Sequence, residues 1–234
     1  MAASTHRGVP LAQSTHEPVY SELRTTILRM GALAEAILDK AARSVRERDA
    51  RLAAEVNADD LEIDRLDIDV DEGVLRALAL RAPVAEDLRT VFAIKTMATD
   101  LERIGDLARN IACSARRLAE RPDTSEAARL EPLEEAARQL LRRALDAFRD
   151  HDASAAQQVI EGDDQVDALQ DQIVRDQIAR IEANPSHAAQ SVDVILIAES
   201  LERVADHATN IAEDVILVAE ARNVKHAGKL DTPA

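Results

Sequence analysis

Two pairs of acidic residues recur in this sequence at the spacing that places carboxylates on one face of a helix. Glu102 and Asp106 lie four residues apart, and Glu202 and Asp206 repeat the pair. Residues four apart project from the same face of an α-helix, because the helix completes a turn in about 3.6 residues. Each pair therefore predicts a ridge of carboxylate oxygens, which is a ligand set for a hard cation.

Another pair of acids precedes each ridge along the chain, and the two pairs also correspond to each other. If the helices that carry them pack side by side, four carboxylates meet in each half, and a bound cation would relieve their repulsion. Hard oxygen ligands suit magnesium, manganese, calcium or ferric iron better than copper or thiolate-bound zinc. The predicted metal ligands are Asp60, Asp64, Glu102 and Asp106 in the first half, and Asp163, Asp167, Glu202 and Asp206 in the second.

Solvated acidic faces are the competing explanation for these residues. The chain is 31% charged, so a single Glu-x-x-x-Asp is weak evidence for a site. Arg109 follows Asp106 by three residues and is placed to neutralise it, but Thr209 stands at the equivalent position of the second half. The repeat thus copies the acids and not the base, which strengthens the case for metal binding and leaves the solvated faces as an open alternative.

Three other polar features accompany the ridges. Asn110 and Asn210 are predicted either to join the ligands or to hydrogen-bond to a neighbouring helix, and the second role is favoured. His207 follows an acid of the second ridge and is predicted to be a surface or capping residue. Arg103 and Arg203 repeat without change, and for both the prediction is an ion pair within the chain.

Catalytic residues are not evident in the sequence. No Glu is followed by a His three residues later, as di-iron helical bundles require, so a redox centre is disfavoured. The sequence contains neither a glycine-rich phosphate loop nor a convincing nucleophile with an adjacent base. The prediction is therefore a protein that is not an enzyme, and a metal-binding helical-bundle enzyme or metal store is the alternative.

Long helices must carry the acids, because the chain has few residues that break helices. Among 234 residues there are 6 glycines, 7 prolines and 3 aromatics, while 46% are apolar. This composition disfavours β-sandwiches and barrels, which need frequent turns. Proline positions and the good N-cap residues Asp49 and Asp152 divide the chain. The predicted helices cover about 19–47, 50–81, 84–120, 126–149, 153–182 and 187–224.

An internal repeat organises these six helices into two halves. Residues 101–112 return as residues 201–212, and the preceding helices match at an offset of 103 residues. The fold class predicted is all-α, with two tandem three-helix bundles related by a pseudo-twofold axis. The predicted divisions are a flexible tail at 1–17, a first repeat at 18–124, a second repeat at 125–224 and a flexible tail at 225–234.

Charge and hydropathy restrict the cellular setting and the partners. The formal net charge of -15 disfavours nucleic acid and anionic membranes as partners. Uncharged apolar stretches are far shorter than the ~20 residues of a membrane span, and the first residues lack the apolar core of a signal peptide. The prediction is a cytoplasmic protein without nucleic acid binding or stable membrane insertion.

The repeated segments resemble the PhoU family of phosphate-transport accessory and regulatory proteins. The resemblance is carried by Leu-Glu-Arg-(Ile/Val)-(Gly/Ala)-Asp-x-x-x-Asn-Ile-Ala at 101–112 and 201–212. Residues 22–31, 48–60 and 83–89 also resemble that family, so the likeness covers about residues 18–224. One departure is Val204-Ala205, where the family usually has Ile-Gly; it adds a methyl group beside the second ridge.

The resemblance implies a function as well as a fold. Such proteins are thought to link a phosphate ABC transporter, through its ATPase subunit, to a phosphate-sensing histidine kinase. They help to keep the phosphate-starvation response off when phosphate is plentiful, and a homodimer is expected. Some members carry metal clusters on Glu/Asp-x-x-x-Asp motifs, which here are the eight acids named above. The implied cofactor is a divalent or ferric ion (Mg, Mn, Fe or Zn).

Overall fold

Long α-helices make up nearly all of the residues that the computed structural model describes, 17–122 and 126–225. Short 3-10 turns at Glu126–Leu130 and Pro185–His187 precede two of the helices. The α-helices are α1 (Glu17–Arg46), α2 (Ala50–Arg81), α3 (Ala85–Ala119), α4 (Glu131–Asp150), α5 (Ala153–Glu161), α6 (Asp163–Ala183) and α7 (Ala188–Glu220).

The first junction of each half has the same construction. Arg48 and His151 have φ values of 53° and 52°, in the left-handed region that ends a helix. The next residues, Asp49 and Asp152, accept hydrogen bonds from the backbone N–H groups two and three positions further on. These carboxylates satisfy N–H groups that have no partner within the helix, so the predicted N-caps are confirmed.

The helices form two three-helix bundles, as the sequence predicts. α1, α2 and α3 pack together in the first, and α4, α5–α6 and α7 in the second. Between the halves, α3 runs antiparallel to α7, since Thr96 at one end contacts Asp214 while Arg117 at the other contacts Asp193. Buried apolar side chains from both bundles form one continuous hydrophobic core.

A second crossing between the halves brings α1 against α4. A Cβ atom on Gly31 would lie 2.6 Å from Leu145 Cδ2, so the missing side chain permits this close approach. Beside it, Asp39 pairs with Arg138 at 3.3 Å between Oδ1 and Nη2. The close packing at residue 31 therefore occurs between the two halves.

Several predicted boundaries are wrong. Gly162 interrupts the helix predicted over 153–182 and separates α5 from α6. The last helix ends at Glu220, where Ala221 takes a left-handed conformation, and not at 224. Helix α1 already begins at Glu17, and Lys225 pairs with Asp214, although both positions fall in predicted tails. The remainder of those tails lies outside the described residues.

None of the helices within residues 17–122 and 126–225 is both long and apolar enough to cross a bilayer.

Candidate metal centre

From here on, the first ridge means the four acids of the first half and the second ridge the four acids of the second half. The first ridge is built around a buried carboxylate. Asp60 on α2 is 2% exposed and lies against α3 at Gly105. A Cβ atom at position 105 would collide with the Asp60 carboxylate and lie 3.1 Å from Ile63 Cδ1. Glycine at this position therefore creates the space in which Asp60 is held.

Arginines neutralise the first ridge from within the chain. Arg109 Nη1 lies 2.8 Å from Asp60 Oδ2 and 3.1 Å from Asp106 Oδ1, so one guanidinium bridges the two helices. Arg103 lies 3.1 Å from Asp106 and 3.4 Å from Glu102. The ion pair predicted for Arg103 is thus confirmed, and Arg109 occupies the position between the acids where a cation would bind.

The pKa values of the first ridge reflect burial opposed by arginine. Burial raises the pKa of Asp60, and the hydrogen bond from Arg109 opposes that rise. The pKa of Glu102 is also raised, chiefly by burial. Arg103 opposes this rise, and neighbouring aspartates add to it. The pKa of Arg109 is raised in turn, chiefly by its hydrogen bond to Asp60. The bridging guanidinium is accordingly held in its charged form.

The second ridge lacks any such bridge. Thr209, at the position of Arg109, donates its hydroxyl to the backbone oxygen of Asp206 at 2.7 Å. Among the ion pairs of the described chain, none involves Asp163, Asp167, Glu202 or Asp206. Arg203 also differs from the prediction, because it makes no ion pair there and instead lines a cleft of about 320 Å³ between α3 and α7.

Burial, reinforced by uncompensated negative charge, raises the pKa values of three acids in the second half. Burial, followed by the charge of Asp206, raises the pKa of Asp163 to about 6. The same two causes raise the pKa of Glu202 to about 7. Burial likewise raises the pKa of Asp167, with Asp206 adding to it. Because these carboxyls influence one another, the structure brings all four acids of the second half into one electrostatic cluster.

A difference at one residue accompanies this asymmetry. Ala205 stands where the first half has Gly105, and it is fully buried. Asp163, the counterpart of Asp60, is only half-buried and begins α6 directly after the interruption at Gly162. The half with alanine at this position is thus the half in which the acid lies nearer to solvent.

The two halves differ in how well their acids would hold a cation. Throughout 17–122 and 126–225, no three His, Cys, Asp or Glu side chains stand together in an arrangement that would coordinate one ion. The donor set of the second half nevertheless suits a hard cation, since its oxygens have no arginine or lysine partner and the pKa values of Asp163, Asp167 and Glu202 are raised. In the first half, Arg109 supplies the positive charge that a cation would otherwise bring.

The asparagine and histidine beside the second ridge contact the other half. Asn210 Nδ2 donates to Asp100 Oδ1 at 3.2 Å, and His207 Nδ1 lies 2.8 Å from the same oxygen. The predicted helix contact of Asn210 is confirmed. His207 is not a surface residue, because it joins α7 to α3.

Buried acids between the halves are absent from the predicted site residues. Asp193 on α7 binds Arg117 of α3 and Arg121, which lies just after the end of α3, and Asp214 binds Thr96 and Lys225. The side chains of Asp193 and Asp214 are 4% and 0% exposed. Neither acid belongs to the repeated motif. The one feature of the sequence that could have pointed to them is that each stands beside a run of apolar residues.

The family model described as the PhoU domain matches this chain twice, over residues 27–115 and 130–215. The two matches cover more than half of the chain and include both ridges. The chain belongs to the PhoU family. Its enclosed first ridge and uncompensated second ridge are therefore two versions of one PhoU motif within a single chain.

Relatives named phosphate-specific transport system accessory protein PhoU homolog are similar over most of their length. The Pseudomonas putida protein is 35% identical over 208 residues, which are 88% of this chain and 81% of that protein. The Aquifex aeolicus protein is 34% identical over 205 residues, 88% of this chain and 93% of its own. These similarities support an accessory role in phosphate transport.

Solved PhoU structures share the architecture. PhoU from Pseudomonas aeruginosa superimposes with a TM-score of 0.85 at 32% identity, covering 87% of this chain and 98% of that one. The PhoU regulatory protein from Streptococcus pneumoniae has a TM-score of 0.84 at 26% identity, covering 90% and 100%. The all-α PhoU-like fold predicted from the sequence is therefore correct.

Proposed function

We propose that this chain is a phosphate-responsive regulatory adaptor and not an enzyme. It connects the ATPase subunit of a phosphate ABC transporter to a phosphate-sensing histidine kinase in the cytoplasm, acts as a homodimer, and restrains phosphate uptake and the starvation response. The observation that carries this proposal is the similarity, across both repeats, to accessory proteins of phosphate-specific transport. An adaptor acts through surface contacts, which fits a fold made almost entirely of packed helices.

Deletion of the gene in its native host tests the regulatory role. We expect genes of the phosphate-starvation response to become active in high phosphate, because the adaptor no longer restrains the kinase. Transcript levels of those genes, measured in the parent, the deletion strain and a complemented strain, provide the readout. Deletion of the kinase gene in the same strain should silence them again. Starvation genes that stay silent after deletion of the adaptor gene alone would refute the proposal.

We further propose that the second ridge binds a divalent or ferric cation. Asp163, Asp167, Glu202 and Asp206 would hold it, and when bound it would supply positive charge that stabilises the close approach of α6 and α7. The support is the uncompensated charge at these acids, two of which have pKa values of about 6 and 7. Loss of those protons would precede binding, so affinity should rise with pH through this range.

A further inference from the structure

The cleft between α3 and α7 contains polar groups that the fold leaves unused. It has a volume of about 320 Å³, and both helices line it. Glu199 and Arg203 stand four residues apart on α7, yet within the described chain neither of them forms an ion pair. Asn110 lines the cleft from α3, and its amide has no hydrogen-bond partner among the described residues. One guanidinium, one carboxylate and one amide are therefore available to a ligand in the same cleft.

The internal repeat shows what occupies the equivalent place at the other end of the contact between α3 and α7. At an offset of 100 residues, Ser200 corresponds to Asp100 and Ser114 corresponds to Asp214. Asp100 accepts a hydrogen bond from Asn210 at 3.2 Å, and Asp214 accepts one from a threonine of α3. That end of the contact therefore binds its hydrogen-bond donors with two carboxylates of the chain itself.

Serine replaces both of these carboxylates in the cleft. Ser114 Oγ accepts a hydrogen bond from Arg117 at 2.8 Å, and Ser200 donates its hydroxyl to a backbone oxygen of α7 at 2.8 Å. Neither serine brings negative charge into the cleft. Asn110, the counterpart of Asn210, therefore lacks the carboxylate that its counterpart binds. A carboxylate is accordingly the group that an external ligand would supply here.

The charged residues of the cleft lining favour an anionic ligand. They are Arg117, Glu199 and Arg203, so positive charge exceeds negative charge by one. Arg117 is paired with Asp193 at 2.6 Å between Nε and Oδ1, but Arg121 shares that carboxylate, so the excess of one positive charge remains. Guanidinium groups bind carboxylates through strong charge-assisted hydrogen bonds. A ligand with one carboxylate would balance the excess.

The positive and negative parts of the lining lie in different places. Glu199 lies toward the second ridge, because its charge contributes to the raised pKa of Glu202. Arg117 lies toward the end of α3, where it contacts Asp193. Leu196, which is 41% exposed, adds an apolar surface to the lining. A ligand with a carboxylate at one end and hydroxyl groups at the other would match this distribution, since an ionised glutamate accepts hydrogen bonds.

We infer that the cleft binds a small organic acid that carries hydroxyl groups, such as a sugar acid. Arg203 and Asn110 would donate hydrogen bonds to its carboxylate, and Glu199 would accept hydrogen bonds from its hydroxyl groups. Pockets for organic ligands have volumes from about 300 Å³ upward, and the cleft falls just within that range. The inference goes beyond the adaptor function and uses none of the residues proposed to hold a metal ion.

Cys113 provides a direct readout of binding, because it lines the cleft and is the single cysteine of the chain. Its thiolate attacks the neutral reagent dithiodipyridine, which forms a mixed disulfide with the protein and releases a coloured thione. A ligand in the cleft covers the thiol and slows this reaction. We expect saturating gluconate to lower the rate at least about tenfold, since only the unliganded fraction reacts. An unchanged rate in gluconate would refute the inference.

Two other anions test which parts of the ligand are recognised. Hexanoate has the same number of carbon atoms and the same charge as gluconate but no hydroxyl groups, so it should bind about tenfold more weakly. Equal protection of the thiol by hexanoate would contradict recognition of the hydroxyl groups and overturn the inference. Inorganic phosphate at the same ionic strength tests a bare anion. Protection by phosphate as strong as that by gluconate would overturn the assignment of an organic acid.

Variants of the full chain locate the binding at the cleft. Arg203→Gln removes the charge at an exposed position and should weaken protection by gluconate at least about tenfold. Arg116→Gln is the matched control, because Arg116 is an exposed arginine of α3 outside the cleft lining, and it should change protection less than about twofold. Both variants should react with dithiodipyridine alone at the rate of the parent.

An equal loss of protection in Arg203→Gln and Arg116→Gln would mean that gluconate responds only to net charge, and the site would be refuted. Glu199→Gln should reduce the preference for gluconate over hexanoate, because the acceptor for the hydroxyl groups loses its charge. An unchanged preference in that variant would contradict the role of Glu199. None of these outcomes depends on the phosphate-starvation genes, so the regulatory proposal is tested separately.

Discussion

Arg109 and Thr209 occupy equivalent positions, and this one difference determines how each ridge is neutralised. In the first half the guanidinium contacts acids on both helices, at 2.8 Å from Asp60 and 3.1 Å from Asp106. In the second half a hydroxyl takes its place, and the pKa of Glu202 rises to about 7. A fixed cation in one half and an exchangeable one in the other would perform the same electrostatic role.

Exchange of these two residues should exchange the cation sites. Thr209→Arg places a guanidinium at the second ridge and should abolish most binding of Mn²⁺, since like charges exclude each other there. Arg109→Thr removes the bridge and should create binding at the first ridge. Equilibrium dialysis against Mn²⁺ near pH 8, where Glu202 is largely deprotonated, gives the stoichiometry of each variant. Arg103→Thr, which leaves Arg109 in place, is the control and should change binding by less than about threefold.

An unchanged stoichiometry in Thr209→Arg would contradict the metal proposal. In that case the acids of the second ridge would be solvated, as the competing explanation of the sequence holds. The elevated pKa of Glu202 would then show itself as proton uptake alone.

At the level of single residues, the sequence predicts the positions of the acids better than their surroundings. The i, i+4 spacing and the repeat identify all eight acids. The bridge to Asp60 is not predictable in the same way, because Arg109 lies on another helix, 49 residues further along the chain. Burial of Asp60 depends on the absence of a side chain at Gly105, which spacing along one helix does not reveal.

Helix ends could be predicted where a local side chain determines them. Asp49 and Asp152 end the preceding connection and cap the next helix, and both act within three residues of their own position. The interruption at Gly162 was not predictable, because an isolated glycine is usually tolerated within a helix. Its consequence depends on how α5 and α6 pack against α7, and that is information from the tertiary structure.

The packing of α2 against α3 should be sensitive to one methyl group at position 105. Gly105→Ala improves helix propensity by about 1 kcal/mol but forces the Asp60 carboxylate to move, and we expect a net destabilisation of about 1 to 2 kcal/mol. Urea unfolding followed by circular dichroism measures the difference. In a background of Asp60→Ala the collision is absent, so the same substitution should stabilise the protein.

This reversal of sign is the decisive result for position 105. Ala205→Gly in the second half is the matched control, and it should only destabilise, since no carboxylate fills the vacated space. If Gly105→Ala stabilised the protein equally with and without Asp60, the glycine would not be the reason for the burial of that acid.

At the scale of the whole molecule, the halves are joined by a core and by buried charge. α3 and α7 are antiparallel, and polar groups connect them at both ends of their contact. The internal repeat predicts that the two halves have the same fold, and it also predicts that these two similar bundles pack against each other. The acids that join them are not repeated, because Ala93 and Ser114 stand where the second half has Asp193 and Asp214. Asymmetric contacts of this kind are invisible to an argument from repetition.

Removal of Asp193 should weaken the junction between the halves. Its carboxylate is 4% exposed, lies 2.6 Å from Arg117 Nε and also binds Arg121, so Asp193→Ala leaves two guanidinium groups without their buried partner. Both arginines retain access to water, which limits the loss to about 2 kcal/mol and a decrease in Tm of roughly 5 °C.

Asp39→Ala removes an ion pair between α1 and α4 whose side chains are 34% and 39% exposed, and it should cost less than about 0.5 kcal/mol. Scanning calorimetry of both variants compares buried with exposed charge across the same pair of halves. Equal Tm values for the two variants would mean that the apolar core alone holds the halves together.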